Sequence, residues 1–410
     1  MHRLAGNVRE LIRRFTGWLV GQLRWSGVAA VLLVALIGVI RIIQADVSPV
    51  SSTSVTVLTE PTIVQLQGFT RRVNLPLVYN QRPLVFPLVF NQPTPTPTPT
   101  PTATPRPPGE PPPYTESFYL HNTDYDYHYN LGRQVSEQVA AGQRAIVILD
   151  YGQPWSENNQ WGTAIFDANY SFRSTDQIFV AIQAFVRGFM SKKAPGSHLT
   201  VGVGTSNFVR SANYYNELNY VKREHGVAWA QLVNRLNTWV ASPPTWEPSI
   251  KIAGAIDAEP GWNLPANTRA WADGFNSAIA SGAVYYNFGS CDSCPFDACP
   301  RCRPPNGWTY EDIWYVSWGV RCAYSIPEIY LVRGANAQQW YRVSRYAATA
   351  HGQAIRFSAV MTQYGSCLQL GCTTNTPSQG WLQLYELINA DPLTVGDIPW
   401  STDIKWAKYQ

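Results

Sequence analysis

Residues 250–287 read IKIAGAIDAEPGWNLPANTRAWADGFNSAIASGAVYYN. The stretch opens with the apolar run Ile250–Ile256, the mark of a strand covered on both faces. Asp257, Pro260, Gly261 and Asn263 then interrupt it with turn chemistry. Thr268–Ala280 carries Trp271, Ala272, Phe275 and Ile279 at helical spacing, and a second short apolar run follows at Ala283–Asn287. Strand, helix and strand in that order make a βαβ unit, whose two strands run parallel.

The same alternation extends in both directions. Strands are expected at Ser117–Leu120, Ala145–Leu149 and Leu199–Gly204 before this unit, and at Ile313–Ser317, Glu328–Val332 and Arg356–Met361 after it. Helical patterns fill Gln177–Ser191, Val227–Val240, Ala337–Ala350 and Gln379–Asn389. Eight strands in βα alternation between Tyr114 and Gln410 predict an α/β fold, a (β/α)8 TIM-like barrel, of the size such barrels take (about 250 residues). An open doubly wound sheet is the rival. No G-x-G-x-x-G or P-loop follows any strand, which removes the usual nucleotide sites, and no cofactor is expected.

Composition narrows the classes further. Charged residues are 14% of the chain, against about 25% in an ordinary domain, and aromatics reach 13%. The net charge of +4 is too small and too scattered for nucleic-acid binding. Much of it sits at the N-terminus, in Arg3, Arg9, Arg13, Arg14, Arg24 and Arg41. Between these arginines runs an uncharged apolar segment, Ser26–Ile40. Trp25–Ile43 suffices for a membrane span of about 20 residues if Arg41 snorkels outward. Arginines ahead of the span place that end in the cytoplasm and the remainder outside. Residues 1–45 therefore read as a cytoplasmic stub and single transmembrane anchor, or as a signal peptide cut after Ala45. Either way the bulk is exported: a cell-membrane protein with an extracellular C-terminal module, or a secreted one.

Residues 46–92 are extended and contain a short repeat, LPLVYNQ (75–81) and FPLVFNQ (86–92). Residues 93–113 are Pro/Thr-rich. Proline at alternate positions favours polyproline II, a spacer of about 3.1 Å per residue. The module from residue 114 to 410 carries the chemistry.

In a barrel of parallel strands, active sites lie at the strands' C-terminal ends. Those ends offer His121, Asn122, Asp124 and Asp126, then Asp150, then Thr205, Ser206 and Asn207, then Asp257 and Glu259, with Tyr286, Asn287, Trp318 and Gln363 later. Asp257 and Glu259 are two residues apart, so on an extended strand both point to one face. Two carboxylates so close do not ionise together readily, and a protonated one suits general-acid work. Glycoside hydrolysis needs a protonated acid and an ionised partner. Asp150 and Asp126 are candidates for further charge on the opposite wall. Trp155, Trp161, Trp262 and Trp318 lie on or near the same loops and suit stacking on sugar rings; Asn287 and Gln363 supply polar contacts. The blander readings are specific too: Asp257 and Glu259 capping the next helix or pairing with Arg269, and the tryptophans filling core.

The segment AIDAEPGW resembles the D-x-E strand of N-acetylmuramidase-type barrel lysozymes and, more loosely, the chitinase-like D-x-E. The chain is similar, more closely, to uncharacterised glycoside-hydrolase-like barrel domains of exported bacterial proteins. IDAEPGW (256–262), TRAWADGF (268–275), YYNFGS (285–290), IWYVSWG (313–319), ANAQQW (335–340), MTQYGSC (361–367) and NTPSQGWLQL (375–384) carry that resemblance. It implies Glu259 as general acid, Asp257 as its assistant, and a polysaccharide or peptidoglycan partner. The lysozymes also use an Asp near the first strand, to which Asp124 and Asp126 correspond only approximately. Glycosidase-like barrels also serve as binding modules, so a non-catalytic glycan-binding or adhesion barrel stands as the alternative.

The seven cysteines include Cys291, Cys294, Cys299 and Cys302, a spacing that invites zinc. The four-residue gap between the pairs is short for a zinc ribbon, and export permits disulfides. Disulfides are expected, with Cys367–Cys372 closing a small loop and no metal site.

Overall fold

Strand β1 (Tyr114–Tyr119) leads through helix α1 (Tyr125–Ser136) to β2 (Arg144–Asp150). An antiparallel insertion follows, β3 (Gln153–Glu157), β4 (Gln160–Ala164) and β5 (Phe172–Ser174). Then come α2 (Thr175–Met190), β6 (His198–Ser206), α3 (Arg223–Val240), β7 (Ile250–Asp257), α4 (Pro265–Ala278) and β8 (Tyr285–Asn287). The chain continues through α5 (Tyr310–Trp314), β9 (Ala323–Ser325), α6 (Ala335–His351), β10 (Val360–Thr362), α7 (Tyr364–Leu370), α8 (Pro377–Ala390) and β11 (Ser401–Trp406). The computed structural model describes residues 109–407 except 210–214, 244 and 246. The anchor or signal segment, the repeat and the Pro/Thr-rich stretch as far as residue 108 lie outside the described residues.

Eight strands form one parallel sheet in the order β10-β11-β1-β2-β6-β7-β8-β9. It curls, and beyond β9 the chain bridges back to the other edge: Ser325 pairs with Phe357 and Glu328 with Met361, both parallel. Backbone hydrogen bonds from Ile329 N to Met361 O (2.8 Å) and from Met361 N to Pro327 O (3.0 Å) fasten the join. Among the described residues no helix is long and apolar enough to cross a membrane. The architecture is a TIM-like α/β fold, as the alternation predicts.

Helices cover the outside of the curl. α2 begins with a reciprocal cap between Ser174 and Gln177 and buries Ile178, Ala181, Ile182, Phe185, Val186 and Phe189, a stripe at helical spacing. α3 and α4 cross at a pair of glycines. A Cβ on Gly226 would collide with the Trp271 carbonyl, and one on Gly274 with the Arg223 carbonyl. The interior face follows from period two. Gly254 faces α4, since a Cβ there would meet the Phe275 ring. Ala253, Ala255 and Asp257 therefore face inward. Their registered neighbours on β6 are Gly202, Gly204 and Ser206, and beside Gly202 and Gly204 on β2 lie Ile148 and Asp150. Small residues on β6 and β7 thus leave room inside the sheet at the height of the carboxylates.

Three strand expectations are corrected. Ile313–Ser317 is helical, the end of α5 and a π-helical turn, because Thr309 and Asp312 cap each other and start a helix there. The sixth parallel strand is β9 instead. Glu328–Val332 forms no regular strand and pairs only at Glu328. The seventh parallel strand is β10, and the eighth is β11, for which no strand is expected from the sequence.

Candidate active site

Asp257 ends β7, and Glu259 lies two residues beyond; their side chains are 2% and 8% exposed. The backbone around them is held by two asparagines from neighbouring strands. Asn207 accepts from Glu259 N (3.0 Å) and donates to Glu259 O (3.0 Å), a pair of hydrogen bonds that fixes the backbone on both sides of Glu259. Asn287 accepts from Ala258 N (3.2 Å) and Gly289 N (3.1 Å) and donates to Ser317 Oγ (2.8 Å). Asn287, expected to contact substrate, is thus committed to positioning the chain. Trp262 N closes a turn onto Glu259 O (3.2 Å), with Pro260 and Gly261 between.

The two rival readings of the pair do not hold. Arg269 is engaged by Asp312 (2.9 Å) and lies over the Tyr315 ring. The first turn of α4 is served by Asn263, whose Oδ1 accepts from Leu264 N (2.8 Å).

The carboxylates have company. Asp150, fully buried at the end of β2, accepts from Gly152 N (3.0 Å) and faces the interior beside Tyr119. Glu328, 1% exposed just past β9, accepts from Gln363 Nε2 (2.8 Å) and Tyr119 Oη (3.4 Å). Half-buried Asp292 comes from the loop after β8, and Ser290 there donates to Glu259 Oε1 (2.9 Å). Burial raises every member of this group, and repulsion from the other acids adds to it at Asp257, Glu259 and Glu328. Asp257 stands well above the usual carboxylate range through burial first and then Glu328, Glu259, Asp150 and Asp292. Glu259 is raised likewise by burial, Asp292 and Glu328, against the Ser290 hydrogen bond. Asp150 is pushed up to about 7 by burial. Burial also raises Glu328, whose bonds from Gln363 and Tyr119 favour its ionised form.

Glu328, Asp292, Ser290 and the two bracing asparagine roles were not read from the sequence. The expected strand Ile313–Ser317 lies ten residues ahead of β9, and with the strand in its place Glu328 follows a strand end. Asn207 and Gln363, by contrast, stand at strand ends in both the sequence pattern and the fold.

The remaining expected residues are dispersed. Asp126 is exposed in the first turn of α1, and Asp124 precedes it as a cap residue without a side-chain bond. Trp155 packs on Tyr220 (4.9 Å between centroids), and Trp161 on Tyr220 and His225. Trp262 meets Phe208 edge-on (5.9 Å). Trp318 precedes β9, on the far side of that strand from Glu328, and packs against Tyr324 (5.5 Å). Two shallow surface hollows, one along α3 beside Trp161 and one beside Tyr310, Tyr341 and Tyr346, lie apart from the carboxylates.

The loop bearing Asp292 is tied by disulfides Cys291–Cys294 and Cys299–Cys302, and α7 is closed onto the following turn by Cys367–Cys372. The thiol of Cys322 is free and buried, which pushes it up to about 11.

No protein-family model matches the sequence, and no curated protein matches it. Among solved structures the chain is similar to a glycoside hydrolase family 5 enzyme from Prevotella bryantii in complex with a xyloglucan tetradecasaccharide. The identity is 9% and the TM-score 0.33, over 72% of this chain and 88% of that one. It is similar also to the catalytic domain of a family 26 endo-β-1,4-mannanase from a Bacillus species, at 13% identity and a TM-score of 0.36, over 74% and 85%. Both likenesses concern the fold alone.

Proposed function

We propose that the chain is a membrane-anchored glycoside hydrolase whose exported α/β module cleaves cell-envelope or extracellular polysaccharide. The observation that carries this reading is the convergence of Asp150, Asp257, Glu259, Asp292 and Glu328 at the C-terminal strand ends, with Glu259 raised well above its ordinary range. Glu259, held protonated and the most exposed of the D-x-E pair, is the general acid. Its proton passes to the leaving glycosidic oxygen as the bond to the anomeric carbon breaks. Water supplies the oxygen that replaces it, and the water's proton ends on a partner carboxylate. Glu328, whose Oε1 accepts two hydrogen bonds that favour its ionised form against a burial that pushes it up to about 8, is the partner assigned to take that proton. Export rests on the basic flank and apolar run of residues 1–45 and on the proline-rich spacer.

A second reading, a non-catalytic glycan-binding or adhesion module, draws support from the near-complete burial of the same carboxylates. The test is reducing-end release from peptidoglycan, chitin and β-glucans by the full chain and by Glu259→Gln. Release by the parent, reduced at least ~100-fold in the variant, is the expected outcome. Retention on an insoluble glycan without any release favours the second reading.

A further inference from the structure

The segment after β8 is fastened to the D-x-E turn at three residues. Asn287 Oδ1 accepts from Ala258 N (3.2 Å) and Gly289 N (3.1 Å). Gly289 packs on Ala258 so closely that a Cβ there would run into the Ala258 backbone. Ser290, 1% exposed, brings its hydroxyl to Glu259 Oε1 at 2.9 Å. Beyond Ser290 the chain is pinned from the other side. Cys291 and Cys294 are buried and joined by a disulfide, and Cys294 O accepts from Gln339 Nε2 on α6 (3.0 Å). Half-buried Asp292 lies inside that small loop, and the Ser290 side chain bonds to it and to Tyr330 as well. A hydroxyl braced on both flanks has little freedom to leave the carboxyl it touches.

Resting on the reading of Glu259 as general acid, we propose that Ser290 and Asp292 are its positioning residues, the serine orienting the carboxyl by its hydrogen bond and the aspartate facing it with a like charge. With the hydroxyl donating to Oε1, the acid form carries its proton on Oε2. A donated hydrogen bond favours the ionised carboxyl and a neighbouring negative charge favours the protonated one, so the two residues act on Glu259 in opposite directions. The serine bond also strengthens as the proton leaves, which is when the reaction needs it. Glu259 further faces Glu328, Asp257 on its own strand, and the phenols of Tyr119 and Tyr330. Among the described residues no Lys, Arg or His forms an ion pair with it.

The kcat–pH profile of the full chain on the glycan it cleaves tests this, with the Tm of each variant checked alongside. Ser290→Ala is expected to lower kcat about tenfold with KM unchanged, and to move the basic limb up by about one pH unit. Asp292→Asn, on a half-buried side chain, is expected to move the same limb down by about one pH unit. Ser290→Thr keeps the hydroxyl and is expected to return the limb toward the parent's position. Limbs that move in the same direction, or a kcat that falls while the limb stays fixed, overturn the proposal, because a merely structural role does not displace it. The protonated-carboxyl stretch of Glu259 in pH-difference infrared spectra, assigned by its loss in Glu259→Gln, reads the same two shifts without any substrate. Opposite shifts there without cleavage of any glycan leave this inference standing and remove hydrolysis. Cleavage that Glu259→Gln abolishes, with neither variant moving the limb, does the reverse.

Discussion

Asp150 shows what a single buried acid does to this fold. Its carboxyl is moved from 3.8 to about 7 by burial, so the folded chain holds its proton more tightly than the unfolded one. The stabilising effect is full below the ordinary value and is lost as pH rises through about 7. A shift of that size corresponds to a loss on the order of 4 kcal/mol. Asn keeps an acceptor for Gly152 N and carries no charge. Asp150→Asn is expected to match the parent in denaturant unfolding near pH 4 and to exceed it by a few kcal/mol near pH 8. A variant less stable than the parent at both would mean that the acid is structurally required. The D-x-E pair, Asp150 and Gln363 were legible in the sequence because strand ends attract polar residues at countable positions. Asn207 was legible as a polar strand end, but its grip on the Glu259 peptide was not, because that contact joins residues 52 apart.

Elements obey local chemistry until a distant contact overrules it. The sequence Ile313–Ser317 is a short apolar run like a buried strand, yet the Thr309–Asp312 cap commits it to a helix. With the sixth parallel strand at Ala323–Ser325, Glu328 stands just beyond a strand end. β11 was hidden by Asp403 and Lys405, charges that break an apolar run. In the fold Asp403 accepts from Thr362 Oγ1 (2.6 Å), Tyr364 N (2.6 Å) and Gly365 N (2.7 Å), so it anchors the start of α7 next to Gln363. Lys405 pairs with Glu116 (2.7 Å) on the adjoining strand. The helix pair α3/α4 offers a sharper test. Because each glycine faces the partner's backbone, neither neighbour yields by a rotamer change. Gly274→Ala and Gly226→Ala are each expected to cost about 1–3 kcal/mol in chemical unfolding, while the same change at open Gly282 does not act through overpacking. An unchanged midpoint for both would show that the helices separate without penalty.

At the scale of the molecule, opposing titrations set the pH dependence. His128 and His225 are buried and lowered to about 4, His128 donating to Asp124 O and accepting from Tyr151 Oη. Their stabilising effect is present above the ordinary 6.5 and is lost as pH falls toward 4. Asp150, Asp257, Glu259 and Glu328 act in the opposite sense, gaining as pH falls toward the ordinary carboxylate range. Four acids outweigh two histidines between these limits. The full chain is expected to show a Tm that rises on acidification from about pH 8 to about pH 5, measured by scanning calorimetry. A Tm that falls over that interval would mean that the acids are ionised and compensated in the fold.

The sequence by itself determined the βα alternation, and with it a parallel α/β sheet, the D-x-E at one strand end and the short loop between Cys367 and Cys372. Each is written in periodicity or spacing within a few turns of chain. Tertiary structure alone decided which carboxylates meet. Asp150, Asp257, Glu259, Asp292 and Glu328 come from four separate strand ends, and only the curl of the sheet carries them into one interior. Their charge state was likewise decided there, because the cost of burying an acid depends on what surrounds it and not on its neighbours in sequence.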